Sequence, residues 1–410
     1  GTGTCRSRVA GTMCPSYRVT GEELHSTRGR ANALRSAISG EFGPGGFTDE
    51  KLYEALELCV ECKACRNECP TRVDMAKLKY EFLAHYQDKH GVPFRNRLFA
   101  NLEWTDKLGR LSPGLANRLF KNKTFRRVLD RKVGVDERRE LPALSKTRFK
   151  DWFRNRKPEE PPGAKTVVLW DDCHISQHQP ELGKAAVAVL EAAGFSVRLI
   201  KGGRCCGRPM ISKGLLSRAR ANAVRNVALL APWAEKGIPI VGVEPSCIAC
   251  FQDEYPDLLG SEEARIVAEN SFFMETFLTT LAREEKLNLR LDTSATPQKI
   301  LLHTHCYQKA FGTAQDVLGM LRLMPGATVE EITSGCCGMA GAFGYEKEHY
   351  DISMAMGEES LFPAVRAASG DTLIAAAGTS CREQIKDGTR RQAKHPIMIL
   401  ADALAKPAQT

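Results

Sequence analysis

Short apolar runs recur in a fixed order along the C-terminal part of the chain. The first series opens with Thr166-Val-Val-Leu-Trp170. It passes through a helical stretch over 181–193 and a run at Ser196–Ile200, and closes with Pro239-Ile-Val-Gly-Val243. The second opens with Lys299-Ile-Leu-Leu302. It passes through a helix near 313–323 and a run near 328–332, and closes with Thr372-Leu-Ile-Ala-Ala376. Short apolar runs bounded by turn residues read as strands, and strands alternating with helices read as a parallel sheet with helical cover. The pattern therefore predicts an internal repeat, two small α/β modules over 164–290 and 291–410.

Upstream of the repeat the pattern changes. Residues 1–90 hold two cysteine-bearing pieces separated by the loop Gly40-Glu-Phe-Gly-Pro-Gly-Gly46. Residues 91–163 form a cysteine-free connector that ends in the linker Lys157-Pro-Glu-Glu-Pro-Pro-Gly163. A chain of 410 residues with 43% hydrophobic content is long enough for several cores. The expected class is α+β overall, with a mainly helical N-terminal part followed by the two α/β modules.

Charge singles out the connector. Between Gly91 and Lys157 there are 19 Lys/Arg against 7 Asp/Glu, an excess larger than the +9 of the whole chain. Aromatic and aliphatic residues such as Phe94, Leu98, Trp104, Leu108 and Leu119 are interleaved with these charges. The segment reads either as solvated basic helices packed on the body or as a docking face for anionic lipid or an acidic partner. No nucleic-acid motif accompanies the charge, so nucleic acid is not expected as a partner. No run approaches the roughly 20 apolar residues of a membrane span. The expected location is the cytoplasm, with peripheral membrane contact through 91–157.

Fifteen cysteines carry the chemistry. Their odd number and the adjacent pairs Cys205-Cys206 and Cys336-Cys337 favour metal or redox work in a reducing compartment over disulfides. Cys59, Cys62, Cys65, Cys69 and Pro70 follow the spacing C-x2-C-x2-C-x3-C-P of a [4Fe–4S] ligand run. Three thiolates wrap one cluster, and the fourth usually serves a neighbouring one. Cys14, followed by Pro15, is the expected fourth ligand beside Cys59, Cys62 and Cys65. Cys5 and Cys69 are then left for a first cluster that is incomplete in this chain. Zinc sites ordinarily use two separated C-x2-C pairs.

The nine later cysteines fall into two matching sets. Cys173, Cys205, Cys206, Cys247 and Cys250 belong to the first module. Cys306, Cys336, Cys337 and Cys381 belong to the second, where Gln384 stands in place of a fifth cysteine. Each cysteine follows an expected strand, so each set should converge at the carboxyl edge of its sheet. Five thiolates can hold an iron–sulfur cluster; four leave a different or weaker centre, or none. His174, His303 and His305 beside them read as supporting hydrogen-bond donors. Arg204, Arg208 and Arg382 flank thiolates and would lower their pKa.

At these residues the chain resembles a known group. Region 164–410 is similar to the cysteine-rich CCG domain pair of heterodisulfide reductase and of the iron–sulfur subunits of glycolate oxidase and anaerobic glycerol-3-phosphate dehydrogenase. The segments Gly11-Thr-Met-Cys-Pro-Ser-Tyr17, His25-Ser-Thr-Arg-Gly-Arg-Ala-Asn32 and Val73-Asp-Met-Ala-Lys-Leu-Lys79 resemble the iron–sulfur half of FAD-linked D-2-hydroxy-acid dehydrogenases, of the D-lactate and D-2-hydroxyglutarate types. The resemblance implies iron–sulfur clusters on the cysteines named above and FAD only on a part upstream of Gly1. It implies electron transfer from that flavin to a quinone or another acceptor. Whether the chain is an enzyme alone stays open; the alternative is a heterodisulfide reductase-like subunit with catalysis at a Cys-Cys-Gly centre.

Overall fold

The computed structural model describes residues 2–9, 11–157 and 163–405. Most of the expected linker at 157–163 lies outside these residues, as does Gly1. Both expected sheets form. The first contains β1 (Lys165–Leu169), β2 (Phe195–Leu199), β3 (Ile240–Gly242) and β4 (Ser271–Phe273). The second contains β5 (Lys299–His303), β6 (Thr328–Glu331), β7 (Leu373–Ala376) and β8 (Ala393–Lys394). Their orders are β2-β1-β3-β4 and β6-β5-β7-β8, with every pairing parallel. The fourth strand of each sheet was not expected from the sequence. β4 runs straight into helix Met274–Arg283 and β8 has only two residues, so neither stands out as a bounded apolar run.

The central strands are apolar over most of their length because both of their faces are covered. Val167, Val168 and Leu169 are fully buried. One core runs across both modules and includes Leu169, Leu182, Leu190, Ile300, Leu302 and Val317. Helix Pro180–Ala192 of the first module packs on helix Pro396–Asp402 of the second, and Met274–Arg283 packs on Ala314–Leu321. The modules are thus welded through apolar helix faces, and truncating a residue such as Leu190 to alanine would cost about 2–5 kcal/mol.

The strand order places the chemistry. In each sheet the central strand has one neighbour followed by a crossover to the other side. The crevice at the carboxyl ends of these two strands is where open α/β sheets bind ligands. The chain leaves β1 toward Cys173, β2 toward Cys205-Cys206 and β3 toward Cys247. In the second sheet it leaves β5 toward Cys306, β6 toward Cys336-Cys337 and β7 toward Cys381. The glycine after each cysteine pair has a left-handed backbone, φ 92° at Gly207 and 90° at Gly338. A Cβ on Gly338 would sit 2.3 Å from Ser353 O, so only glycine lets the chain turn there.

The N-terminal part is helical as expected. Helix Thr27–Ile38 is capped by Ser26, whose Oγ accepts from Gly29 N at 3.0 Å. Helix Met75–His90 is capped by Asp74. The connector forms helices Phe94–Ala100, Leu102–Gly109, Pro113–Lys121 and Lys123–Val133. Its basic residues are not all solvated. Arg139 is 1% exposed and donates to Gly344 O, Asp387 and Ser353 Oγ at 2.7–2.9 Å, which ties the connector to the second module. Its apolar residues are not all packed: Trp104, Leu108, Leu111 and Leu115 are 66–83% exposed. Among the described residues no helix is long and apolar enough to cross a membrane.

Candidate iron–sulfur centres

Cys59, Cys62 and Cys65 lie on one tight loop. Glu61 and Lys63 between them have φ 52° and 57°, a left-handed conformation that non-glycine residues seldom adopt. This coiling brings the thiols together with Cys14 and Cys5 in one buried cluster. Burial, reinforced by Cys59 and Cys14 and opposed by the Met75 N–H, pushes the Cys65 thiol up to about 12. Burial also raises Cys14 and Cys62. Backbone N–H groups point at the sulfurs from helix N-termini. Thr27 N donates to Cys14 Sγ at 3.1 Å, Arg28 N to Cys5 Sγ at 3.3 Å and Met75 N to Cys65 Sγ at 3.4 Å. Such donors and the positive ends of the helix dipoles favour thiolate over thiol. The donor set suits a cubane cluster: Cys14, Cys59, Cys62 and Cys65 are buried in one packed cluster, and Cys14 and Cys65 already receive backbone N–H groups.

Cys69 has different neighbours. Its Sγ lies 3.2 Å from Thr71 Oγ1. Its slight burial is outweighed by hydrogen bonds from Thr71, Val73 and Arg72, so its pKa is lowered. Cys5 packs beside Cys14, where Cys14 N donates to Cys5 O at 3.5 Å, in the cluster against which Cys69 also packs.

In the first module the five thiols form a continuous group. Cys206 and Cys247 Sγ are 3.2 Å apart. Cys173 contacts Cys205, and Cys206 contacts Cys205, Cys247 and Cys250. Hydrogen bonding to neighbouring thiols, then burial, raises Cys173 and Cys247 well above their ordinary value. Buried, mutually contacting thiols hold their protons until a metal displaces them. The cavity beside them is bounded by Glu244. Burial alone would raise this carboxyl. His174, His305, the Thr379 N–H and Arg382 outweigh that and hold it at about 2.

In the second module Cys336 contacts Cys306 and Cys337, and Cys337 contacts Cys381. Hydrogen bonds from Cys336 and Cys381, together with the charge of the nearby His303 imidazole, lower Cys337 well below the usual thiol range despite its burial. Gln384, at the place of a fifth cysteine, is fully buried and turned away, with Nε2 donating to Ser353 O at 2.8 Å.

The three thiol groups face one another. One cavity of about 290 Å³ is lined by Cys59, by Cys206 and Cys247, and by Cys306, Cys337 and Cys381. A smaller hollow is bounded by Cys62, Cys306 and Cys336. Residues that the sequence did not single out hold this arrangement. Lys63, with no exposed side-chain surface, pairs with Asp253 at 2.6 Å, Glu254 at 3.0 Å and Asp74 at 3.3 Å. Arg208 reaches Glu61 at 2.7 Å and Glu254 at 3.2 Å. Charge therefore latches the N-terminal cysteine loop to the first module. On the other side helix Ala64–Glu68 packs on helix Cys306–Ala310 of the second module. The signal available in the sequence was local: Lys63 sits between two expected ligands, and Asp253-Glu254 follows Cys250 within one helical turn. Glu244 was legible as an acidic cap, since Glu244-Pro245 precedes Cys247 as an N-cap and first helical proline.

Comparison with known proteins agrees with this anatomy. A model of the 4Fe-4S dicluster domain matches residues 1–73, and a model of the CCG cysteine-rich domain matches 167–252 and 300–386. The chain is 32% identical over 372 residues to a subunit of the anaerobic glycerol-3-phosphate dehydrogenase of Escherichia coli K12, covering 88% of this chain and 91% of the relative. It is 26% identical to D-2-hydroxyglutarate dehydrogenase of Pseudomonas putida, covering 95% of this chain but 41% of that protein. It is also 26% identical to the glycolate oxidase iron-sulfur subunit of E. coli K12, covering 96% and 91% of the two chains. With a dicluster domain in front of two cysteine-rich domains, the chain belongs to the family of iron–sulfur proteins that includes this subunit of anaerobic glycerol-3-phosphate dehydrogenase.

Proposed function

We propose that this chain is the electron-transfer part of a flavin-linked oxidoreductase that oxidises a CH–OH donor. The reading extends to a D-2-hydroxy acid as donor and a quinone or similar molecule as final acceptor. FAD resides on a partner, either upstream in the same polypeptide or on a separate subunit. The observation that carries it is the meeting of three thiol groups around one cavity. Cys14, Cys59, Cys62 and Cys65 would hold one cluster. Cys173, Cys205, Cys206, Cys247 and Cys250 would hold a second centre, and Cys306, Cys336, Cys337 and Cys381 a third. Cys5 and Cys69 would serve a neighbouring cluster of the dicluster domain. Iron–sulfur clusters bound there supply one-electron acceptor and donor capacity.

The protein's own part is placement and electrostatics. The N-terminal loop lies between both modules, gripped by Lys63 and Arg208 on one side and packed against Cys306 on the other. The N–H groups of Thr27, Arg28 and Met75 bias the sulfurs toward negative charge. The exposed apolar residues Trp104, Leu108, Leu111 and Leu115, set among basic side chains, support peripheral contact with an anionic membrane, where a lipid-soluble acceptor would be found.

Anoxic purification and reconstitution with iron and sulfide test this reading. We expect stoichiometric iron and sulfide, broad visible charge-transfer absorption, and reduction by a flavoprotein partner with its hydroxy-acid substrate. A reconstituted chain that binds no iron sinks it. The placement of the cavity between the cysteine pairs of the two modules favours one second reading, reduction of a disulfide substrate at that cavity. Turnover of a disulfide with an artificial electron donor and no flavoprotein would select it.

A further inference from the structure

Among the described residues, His303 is the one imidazole that ends a strand pointing at a thiol group. It closes β5 and is fully buried. Side chains alternate along a strand, which puts His303 on the face of Leu301, the face that carries Cys337 and Cys381. A ring nitrogen of His303 and the Sγ atoms of Cys337 and Cys381 all lie within 4.8 Å of one another. The two ring nitrogens have different surroundings. Nδ1 is 2.8 Å from Ser334 Oγ, and that hydroxyl donates to Ile332 O at 3.4 Å. With its proton committed to Ile332 O, Ser334 accepts from Nδ1–H. The lone pair is then on Nε2, a buried atom with no hydrogen-bond partner. An imidazole anchored through one nitrogen and unpartnered at the other is the arrangement of a metal-ligating histidine.

The rest of the module supports the same role. The first module has five thiols, and the second has four because Gln384 is spent on Ser353 O. In the first module the residue three positions before the leading cysteine is Trp170, whose ring packs edge-on against Phe251. In the second it is His303. The module that lacks a thiol carries an imidazole at the position where its sister carries an indole.

We propose that His303 Nε2 is a metal ligand together with Cys337 and Cys381, giving the second module a mixed imidazole–thiolate centre for zinc or for iron of an iron–sulfur cluster. Both metals accept nitrogen and sulfur donors. With iron, a neutral imidazole in place of a thiolate removes negative charge and raises the reduction potential. The second module would then be the more oxidising of the two. The ligand assignment rests on the iron–sulfur reading only for that consequence, since a nitrogen-ligated zinc satisfies it equally.

The full chain is loaded anoxically in two arms, one with ferrous iron and sulfide, one with Zn2+ alone. The iron arm is reduced and examined by pulsed EPR for strong 14N coupling. The zinc arm is examined by X-ray absorption for a nitrogen in a mainly sulfur shell. The expected result is a nitrogen ligand in at least one arm, lost in H303Q with one centre's worth of metal. H303C should restore the metal with a sulfur-only shell and, in iron, a lower midpoint potential. This second variant covers the case in which H303Q fails to fold. Absence of a nitrogen ligand in both arms overturns the proposal, as does an H303Q or H303C protein whose metal content and spectrum match the parent. A chain that takes up zinc with a nitrogen ligand but no iron would defeat the relay and leave His303 as a ligand.

Discussion

The two cysteine-rich modules share a strand order and differ where their side chains meet the thiols. Counted from the cysteines, Trp170, Asp172 and Cys250 of the first correspond to His303, His305 and Gln384 of the second. The helices that begin at Cys173 and Cys306 are capped by Asp172 and His305 respectively. One fold thus presents two donor sets: five thiols beside a carboxylate, and four thiols beside two imidazoles. The scaffold fixes where the ligands gather, and single residues at strand ends and on the helices that follow decide what is gathered. The modules also grip the N-terminal loop differently, the first through buried charge and the second through helix packing and the Cys62–Cys306–Cys336 contact.

The sharpest way to break this comparison is to remove one thiol from each module. C206A should abolish the first module's centre and leave the second module and the N-terminal loop loaded; C337A should do the reverse. Loss of a direct ligand should weaken binding by more than the roughly 10–100-fold typical of a supporting partner. Iron and zinc analysis with EPR of each variant provides the check. If either substitution erased the same signal, the two modules would be sharing a single centre.

Next in size is the latch. K63M takes away the buried cation shared by Asp253, Glu254 and Asp74 while Lys77 stays on Asp253 and Arg208 on Glu254, which should cost up to about 3 kcal/mol. Hydrogen exchange should show the loop around Cys62 released from the first module. A change in unfolding free energy below about 0.5 kcal/mol, the range of ordinary surface substitutions, would contradict the latch.

Acid acts more gently, on a buried carboxylate in each module. Burial alone would raise Asp253, but Lys63 and Lys77 outweigh it and hold the carboxyl at about 2. In the second module Glu346 is held at about 2 by Lys213, His349 and Arg95, again against burial. Both values lie below the ordinary carboxylate range of about 4. Each contribution is therefore present above about pH 4 and is lost as pH falls toward 2, with roughly 2 kcal/mol at stake for Asp253 and roughly 3 kcal/mol for Glu346. D253N should lower stability by the former amount at pH 7 and flatten its fall between pH 4 and 2. An unchanged acid limb in D253N would show that the carboxyl carries no such load.

How much of this could be read beforehand follows from the length scale of each feature. The repeat was legible because β1, β2, β5 and β7 are runs of four or five residues buried on both faces. β4 and β8 were not, since the first runs straight into a helix and the second has only two residues. The cysteine spacing brought Cys59, Cys62 and Cys65 to one loop, and the strand ends brought the later sets together, because both depend on local geometry. The partners of Lys63 and the company of Cys5 were invisible, because they depend on how separate pieces of chain dock. His303 was noticed but read as a supporting donor. Only the positions of Ser334, Cys337 and Cys381 distinguish its two nitrogens.

The smallest expected effect gives the finest test of what separates the modules. Q384C restores a fifth cysteine to the second module at the same spacing as Cys250 in the first. Were residue identity alone to set the donor count, this variant would gain a ligand and take on the first module's spectrum. The side chain at 384, however, is directed to Ser353 O on helix Tyr350–Glu358. The imidazole of His303 already stands beside Cys337 and Cys381. The expected result is unchanged metal stoichiometry and a loss of about 1–3 kcal/mol, because Ser353 O forfeits a buried donor. Thermal unfolding and metal analysis measure the two parts separately. A Q384C protein with a five-sulfur shell and parental stability would mean that the modules differ by one replaceable thiol and that their strand-end residues are interchangeable.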